Sequence, residues 1–168
     1  MTPPRYRHGA LVVGIALLAA TGTSAFGQMA DDLWKTMMLK AASMQSSRDY
    51  AKAEQNFGLA MREAEHFGNE DTRVVTTLKA QGDLFMEETK FAEAEAAFRR
   101  ALTIVENSSQ EDSPDRAEAN LKLARALIGL GHGSAAISLA AKAVSVYQST
   151  YGGFDTRAAT AHCALGDA

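Results

Sequence analysis

Apolar and small residues recur along this chain at helical spacing, and the set occurs three times. Tyr50, Ala53, Phe57 and Ala60 are followed 41 residues later by Phe91, Ala94, Phe98 and Ala101, and after a further 42 by Gly133, Ala136, Ala140 and Ala143. Steps of three and four residues place each set on one face of a helix. A fixed period of this length marks an array whose units bury their apolar faces only against their neighbours. Such arrays present surfaces, so the pattern points to a binding module.

Turn chemistry divides the rest into seven helices. The first covers 31–46, with Leu33, Met37, Leu39 and Met44 giving an apolar stripe. The turn Ser47–Arg48 leads to a second helix over 49–67, with Gly68 as its C-terminal cap. Asp71 or Thr72 caps a third helix that runs to residue 88 and carries Val75, Leu78, Gly82 and Phe85 on one side. The fourth covers 91–106 and ends in a polar loop over 107–113. Ser113 caps the fifth, which opens at Pro114, where a first-turn proline is tolerated, and runs through residue 128. Gly129, Gly131 and Gly133 form the next turn. The sixth helix reaches about residue 151, Gly152 and Gly153 break it, and a short seventh begins at Asp155. Asp71-Thr72-Arg73, Pro114-Asp115-Arg116 and Asp155-Thr156-Arg157 fall 43 and then 41 residues apart, which supports the repeat independently. Their plainest reading is capping, since an acidic residue at a helix start complements the dipole. No alternating β-branched run argues for a strand, so the fold class is all-α.

Phe91-x-x-Ala94-x-x-x-Phe98-x-x-Ala101-Leu102, preceded by Leu78-x-x-x-Gly82-x-x-Phe85, resembles a tetratricopeptide repeat. The period near 42 and the long second helices resemble the subclass found in kinesin light chains. The resemblance implies a right-handed superhelical α-solenoid of antiparallel hairpins, about three and a half repeats over 33–67, 74–107, 116–150 and a partial 158–168. Ala41, Gly82, Ala124 and Gly166 are the positions where the two helices of a hairpin approach closely, met by Ala53, Ala94 and Ala136. Lys40, Gln81 and Ala140 depart from the family pattern. The resemblance further implies a concave groove for a protein or peptide segment. Its positions are Met38, Ala42 and Gln45 in repeat one, Lys79, Asp83 and Met86 in repeat two, and Leu121, Arg125 and Ile128 in repeat three. Flexible apolar side chains mixed with a few charges suit a peptide with one or two apolar anchors. Solvated or mutually packed side chains are the plain alternative at these positions. The positions of the family's carboxylate-binding cluster read Met38, Ala42, Glu118 and Lys122, which does not support that activity.

The first residues belong to a different kind of segment. Arg5, Arg7 and His8 precede an apolar run over 10–20, followed by Thr21, Gly22, Thr23, Ser24 and Ala25. This is the order of a secretory signal peptide, with cleavage expected after Ala25 or Gly27. The run is well short of the roughly 20 apolar residues a spanning helix needs, so stable membrane insertion is not expected. Residues 1–27 are therefore read as a leader, 28–168 as the repeat domain, and the chain as exported to a bacterial periplasm or secreted.

Charge and candidate chemistry narrow the function further. The formal charge is −3, and without residues 1–27 it is about −5. Nucleic acid calls for a basic surface and is not an expected partner. His8, His66, His132 and His162 show no metal-ligand pairing, although His66 lies near Glu63, Glu65, Glu70 and Asp71. The glycines at 129–133 follow no strand and precede no Gly-Lys-Ser/Thr, so they form a turn and not a phosphate loop. The chain has one cysteine, Cys163, read first as a small buried apolar residue, with an intermolecular bridge or a reactive thiol as the alternative. No catalytic constellation, metal site or cofactor site is expected, and the chain is not read as an enzyme. An adaptor gripping a partner segment is the leading expectation. A structural alternative starts from residues 158–166, which carry no acidic or basic group and could form a homodimer or dock on an envelope assembly.

Overall fold

The computed structural model describes residues 9–108, 113–152 and 155–168, with side chains from residue 26 onward. Seven α-helices follow in order: α1 (Gly9–Ser46), α2 (Tyr50–Glu65), α3 (Thr72–Glu87), α4 (Phe91–Ser108), α5 (Pro114–Gly129), α6 (Gly133–Tyr151) and α7 (Thr156–Gly166). Each packs chiefly on its sequence neighbours, with lighter contact from α5 to α3 and to α7. The all-α reading and the order of elements are therefore as expected. The difference is at the start, where α1 runs unbroken for 38 residues and not only over 31–46. Among the described residues, no helix is long and apolar enough to cross a membrane. Residues 109–112 of the expected polar loop and Gly153 lie outside the described residues.

The core is a row of small clusters between successive helices, as a repeat array requires. Ala41, Ala53 and Phe57 bind α1 to α2, and Val74, Val75 and Leu78 meet Ala101, Ile104 and Val105 between α3 and α4. Gly82 shows why small residues stand at the crossings: a Cβ built there would lie 2.3 Å from the ring of Phe98. Gly129 does the same work and is not simply part of a turn, since its Cβ would lie 2.5 Å from the ring of Phe91. Gly166 departs from expectation in the other direction, for a Cβ there meets nothing within 4 Å.

Three hairpin turns share one construction. Arg48, Thr89 and Gly131 take left-handed backbone with φ of 60°, 59° and 76°. After each, an amide reaches back to the preceding helix: Asp49 N–H to Met44, Lys90 N–H to Phe85 and His132 N–H to Leu127, at 2.8–2.9 Å. These bonds satisfy carbonyls that the helix end would leave unpaired.

The hairpins are joined by the helix-opening triplets. Asp71 and Asp155 accept from the amides of Arg73 and Arg157, and Ser113 from that of Arg116. The arginine side chains do more than the capping reading required. Arg73 returns to Asp71, bonds Asp31 at 2.7 Å and lies 3.9 Å from the Phe67 ring. Arg157 returns to Asp155 and lies 3.4 Å from the Tyr151 ring. Each thus fastens a new hairpin to the aromatic residue closing the previous one. The Arg157 guanidinium holds the Asp155 carboxyl well below the usual carboxylate range, at about 2.

Candidate functional site

The first helices α1, α3, α5 and α7 line one side of the array, where clefts open; besides the three described next, one of about 590 Å³ at the α1–α2 turn is lined by Ala42, Gln45, Ser46, Arg48, Tyr50 and Glu87. One of about 500 Å³ lies between α1, α3 and α5 and is lined by Gln45, Asp83, Met86, Glu87, Lys122 and Arg125, with Phe98 at its floor. One of about 320 Å³ lies between α3, α5 and α7, lined by Met86, Arg125, Ile128, Thr160, Cys163 and Asp167 among others. The third, about 410 Å³, brings Glu118, Leu121 and Arg125 of α5 together with Tyr147, Tyr151, Arg157 and Thr160. Burial of the Tyr147 phenol pushes it up to about 12, so it stays protonated at the mouth of this cleft.

The expected groove residues divide into two groups. In one, charges are already used between repeats. Lys79 Nζ donates to Glu118 at 2.7 Å, and Lys122 Nζ donates to both oxygens of Asp83 at 2.7 Å. Gln45 donates to Glu87 at 2.6 Å. Met38 is half-buried, its sulfur against the Thr77 hydroxyl, which donates to the Arg73 carbonyl at 2.7 Å and accepts from Trp34 Nε1 at 3.0 Å. Leu121 is only 8% exposed and packs with Ala117, Val144, Tyr147 and Ala161. These residues knit the repeats together.

The other group is open. Met86 and Ile128 are partly exposed beside Arg125, whose guanidinium is exposed and has no hydrogen-bond or ion-pair partner among the described residues. Arg125 lines three of the clefts. Of the three charged candidates, it alone is free to bind something outside the chain.

Two groove residues were missed by sequence reasoning. Cys163 is exposed and lines the α3–α5–α7 cleft beside Asp167, so the expected buried cysteine is corrected. The signal was present: Met38, Lys79, Leu121 and Cys163 share one register, as do Ala42, Asp83, Arg125 and Asp167. The alternative surface also changes. Ala158, Ala161 and Ala164 are buried and Leu165 packs on the core, so the apolar side of α7 is spent within the chain. Among the described residues, no group of three His, Cys, Asp or Glu side chains is placed to hold a metal ion.

Comparison with known proteins places this geometry. Residues 85–151 match the tetratricopeptide repeat family. BtubC (BKLC) from P. vanneervenii superposes with a TM-score of 0.71 at 20% identity, covering 92% of this chain and 60% of that one. A Podosopora anserina putative kinesin light chain with nearly identical TPR-like repeats gives 0.70 at 18% identity, covering 79% and 66%. The N-terminal domain of stress-induced protein-1 (STI-1) from C. elegans gives 0.61 at 14%, covering 80% and 96%. This chain therefore spans 60% of the length of the BtubC chain it matches. No curated protein matches the sequence. Residues 85–151 thus match the tetratricopeptide repeat family, and the chain shares the helical-repeat fold of these solved structures.

Proposed function

We propose that the chain is an exported adaptor that holds an extended or helical segment of a partner protein in the groove formed by α3, α5 and α7. The observation that carries this is the state of Arg125. Lys79 and Lys122 beside it have their charges matched by Glu118 and Asp83, whereas its guanidinium stands exposed between Met86 and Ile128, with Asp167 across the cleft. A segment with a carboxylate and an adjacent apolar side chain complements that arrangement, the carboxylate meeting the guanidinium fork and the apolar group meeting methionine and isoleucine. Arg125→Glu is expected to weaken capture of the partner by at least about tenfold, the scale of losing a charge-assisted contact and gaining a repulsion. Its melting temperature is expected to stay that of the wild type, because Arg125 makes no contact the fold depends on. Unchanged capture would refute the groove reading. Leu121 is unsuitable for this purpose, since a charge at a buried position unfolds the chain before it tests anything.

The export half of the proposal rests on Arg5, Arg7, the apolar run over 10–20 and the small residues after it. Intact mass measured on the protein recovered from its native host should give a chain beginning at Phe26 or Gln28. A chain retaining residues 1–25 would contradict export through a cleaved leader.

A further inference from the structure

The cleft of about 410 Å³ over α5, α6 and α7 holds a polar group that the chain leaves unpaired. Tyr147 on α6 lines it and is only 3% exposed, yet its hydroxyl has no hydrogen-bond partner among the described residues. Burial, aided by Glu118 and Asp115, keeps that phenol protonated and hence a donor. A desolvated O–H without an acceptor is unfavourable, and a bound acceptor relieves it. Charge supplies a second, independent observation. Five charged residues line the same cleft, and three are matched within the chain: Glu118 by Lys79, Lys122 by Asp83 and Arg157 by Asp155. The other two, Asp115 and Arg125, are exposed and have no ion-pair partner among the described residues. They stand ten residues apart on α5, about 15 Å at 1.5 Å per residue.

We propose that this cleft takes the partner segment in extended form, with a basic side chain on Asp115, an acidic side chain on Arg125 and a main-chain carbonyl accepting from Tyr147. The inference rests on the groove reading above, with Arg125 as the corner the two clefts share, and fixes the conformation and charge pattern of the segment. An extended chain turns alternate side chains to one face, so residues four apart face the cleft together, about 13 Å from each other, and reach both charges. A helix needs about ten residues to cover the span between Asp115 and Arg125, and its interior carbonyls are already taken by its own amides. An extended segment presents free carbonyls, the acceptor that the phenol lacks. A small residue midway between the two charges lets the main chain approach the hydroxyl. The segment thus carries a basic residue, a small one two positions on and an acidic one four positions on, or the same order reversed.

Two peptides capped at both ends test this: Gly-Ser-Lys-Ser-Ala-Ser-Glu-Ser-Gly and the same sequence with lysine and glutamate exchanged. Titrated into the full chain and followed by NMR amide shifts, at least one order should bind saturably, and the order that binds sets the direction of the segment. Arg125→Glu should weaken that binding at least about tenfold. Asp115→Asn, and Tyr147→Phe, which removes only the hydroxyl, should each weaken it about fivefold, the scale of one hydrogen bond. Tyr147→Phe should not lower the melting temperature, because the hydroxyl bonds nothing in the free chain, so its lost binding is not lost folding. Asp115→Lys should bind the peptide whose lysine is replaced by glutamate better than the wild type does. Saturation by neither order, equal binding of a peptide with both charges replaced by glutamine, or binding indifferent to Asp115→Asn and Tyr147→Phe overturns the proposal. Partner capture that is lost with Arg125→Glu but kept in Asp115→Asn and Tyr147→Phe overturns it while the groove reading stands. Capture indifferent to Arg125→Glu overturns both.

Discussion

At Gly82 the absence of one methyl group decides how closely α3 and α4 approach. Adding it forces a contact of 2.3 Å with a Phe98 ring that is 1% exposed and has nowhere to go. Gly82→Ala is therefore expected to destabilise by about 1–3 kcal/mol, the range for overpacking a filled core. Gly58, in the middle of α2, has nothing within 4 Å of the same added atom. There Ala replaces a residue that disfavours helix, and stability should rise by up to about 1 kcal/mol. Urea midpoints of the two variants test the pair, and a shift of the same sign in both would contradict the packing account. The close approach at Gly82 was legible in the sequence because the repeat places alanine or glycine there each time. Gly129 was not, because two nearby glycines made a turn the simpler reading. Its partner, Phe91, is 38 residues away, and no local pattern links them.

Among the elements, helices were easier to read than the turns between them. Helical periodicity, caps and proline placement located α2 to α7 within two residues at nearly every end. The left-handed turn residue showed itself in only one hairpin out of three, where it is Gly131. Arg48 and Thr89 occupy the same place without the residue type that announces it. For threonine that conformation carries a steric cost of about 1–2 kcal/mol, because its branched Cβ crowds the following carbonyl. Thr89→Gly should accordingly raise stability by up to about 1 kcal/mol, with unfolded-chain entropy offsetting part of the relief. Chemical denaturation measures this, and a loss of stability would mean that the turn is held by the threonine side chain, whose hydroxyl donates to the Glu88 carbonyl at 2.6 Å. The arginines of the helix openings present a similar case. Their capping partners are two residues away and were legible, whereas the aromatic rings they cover lie across a loop and were not.

Across the whole molecule, the groove residues were located by register and sorted only by the fold. Nine positions were expected from the repeat alone, and their neighbours in the next repeat decide what each can do. Lys79 and Asp83 look like binding charges in the sequence, yet Glu118 and Lys122, 39 residues further on, take them up. Leu121 looks like an apolar anchor and is closed over by α6 and α7. Met86, Arg125 and Ile128 remain, with Thr160, Cys163 and Asp167 facing them from α7. On the proposed reading, this exposed guanidinium is the group that a partner carboxylate meets. The most direct test is photo-crosslinking in the native host from a benzophenone side chain at position 128, beside a control at Lys142 on the outer side of α6. The groove account predicts a discrete adduct of one other protein from position 128, absent from position 142 and lost when Arg125→Glu is added. Equal adducts from both positions, or an adduct from 142 alone, would contradict it.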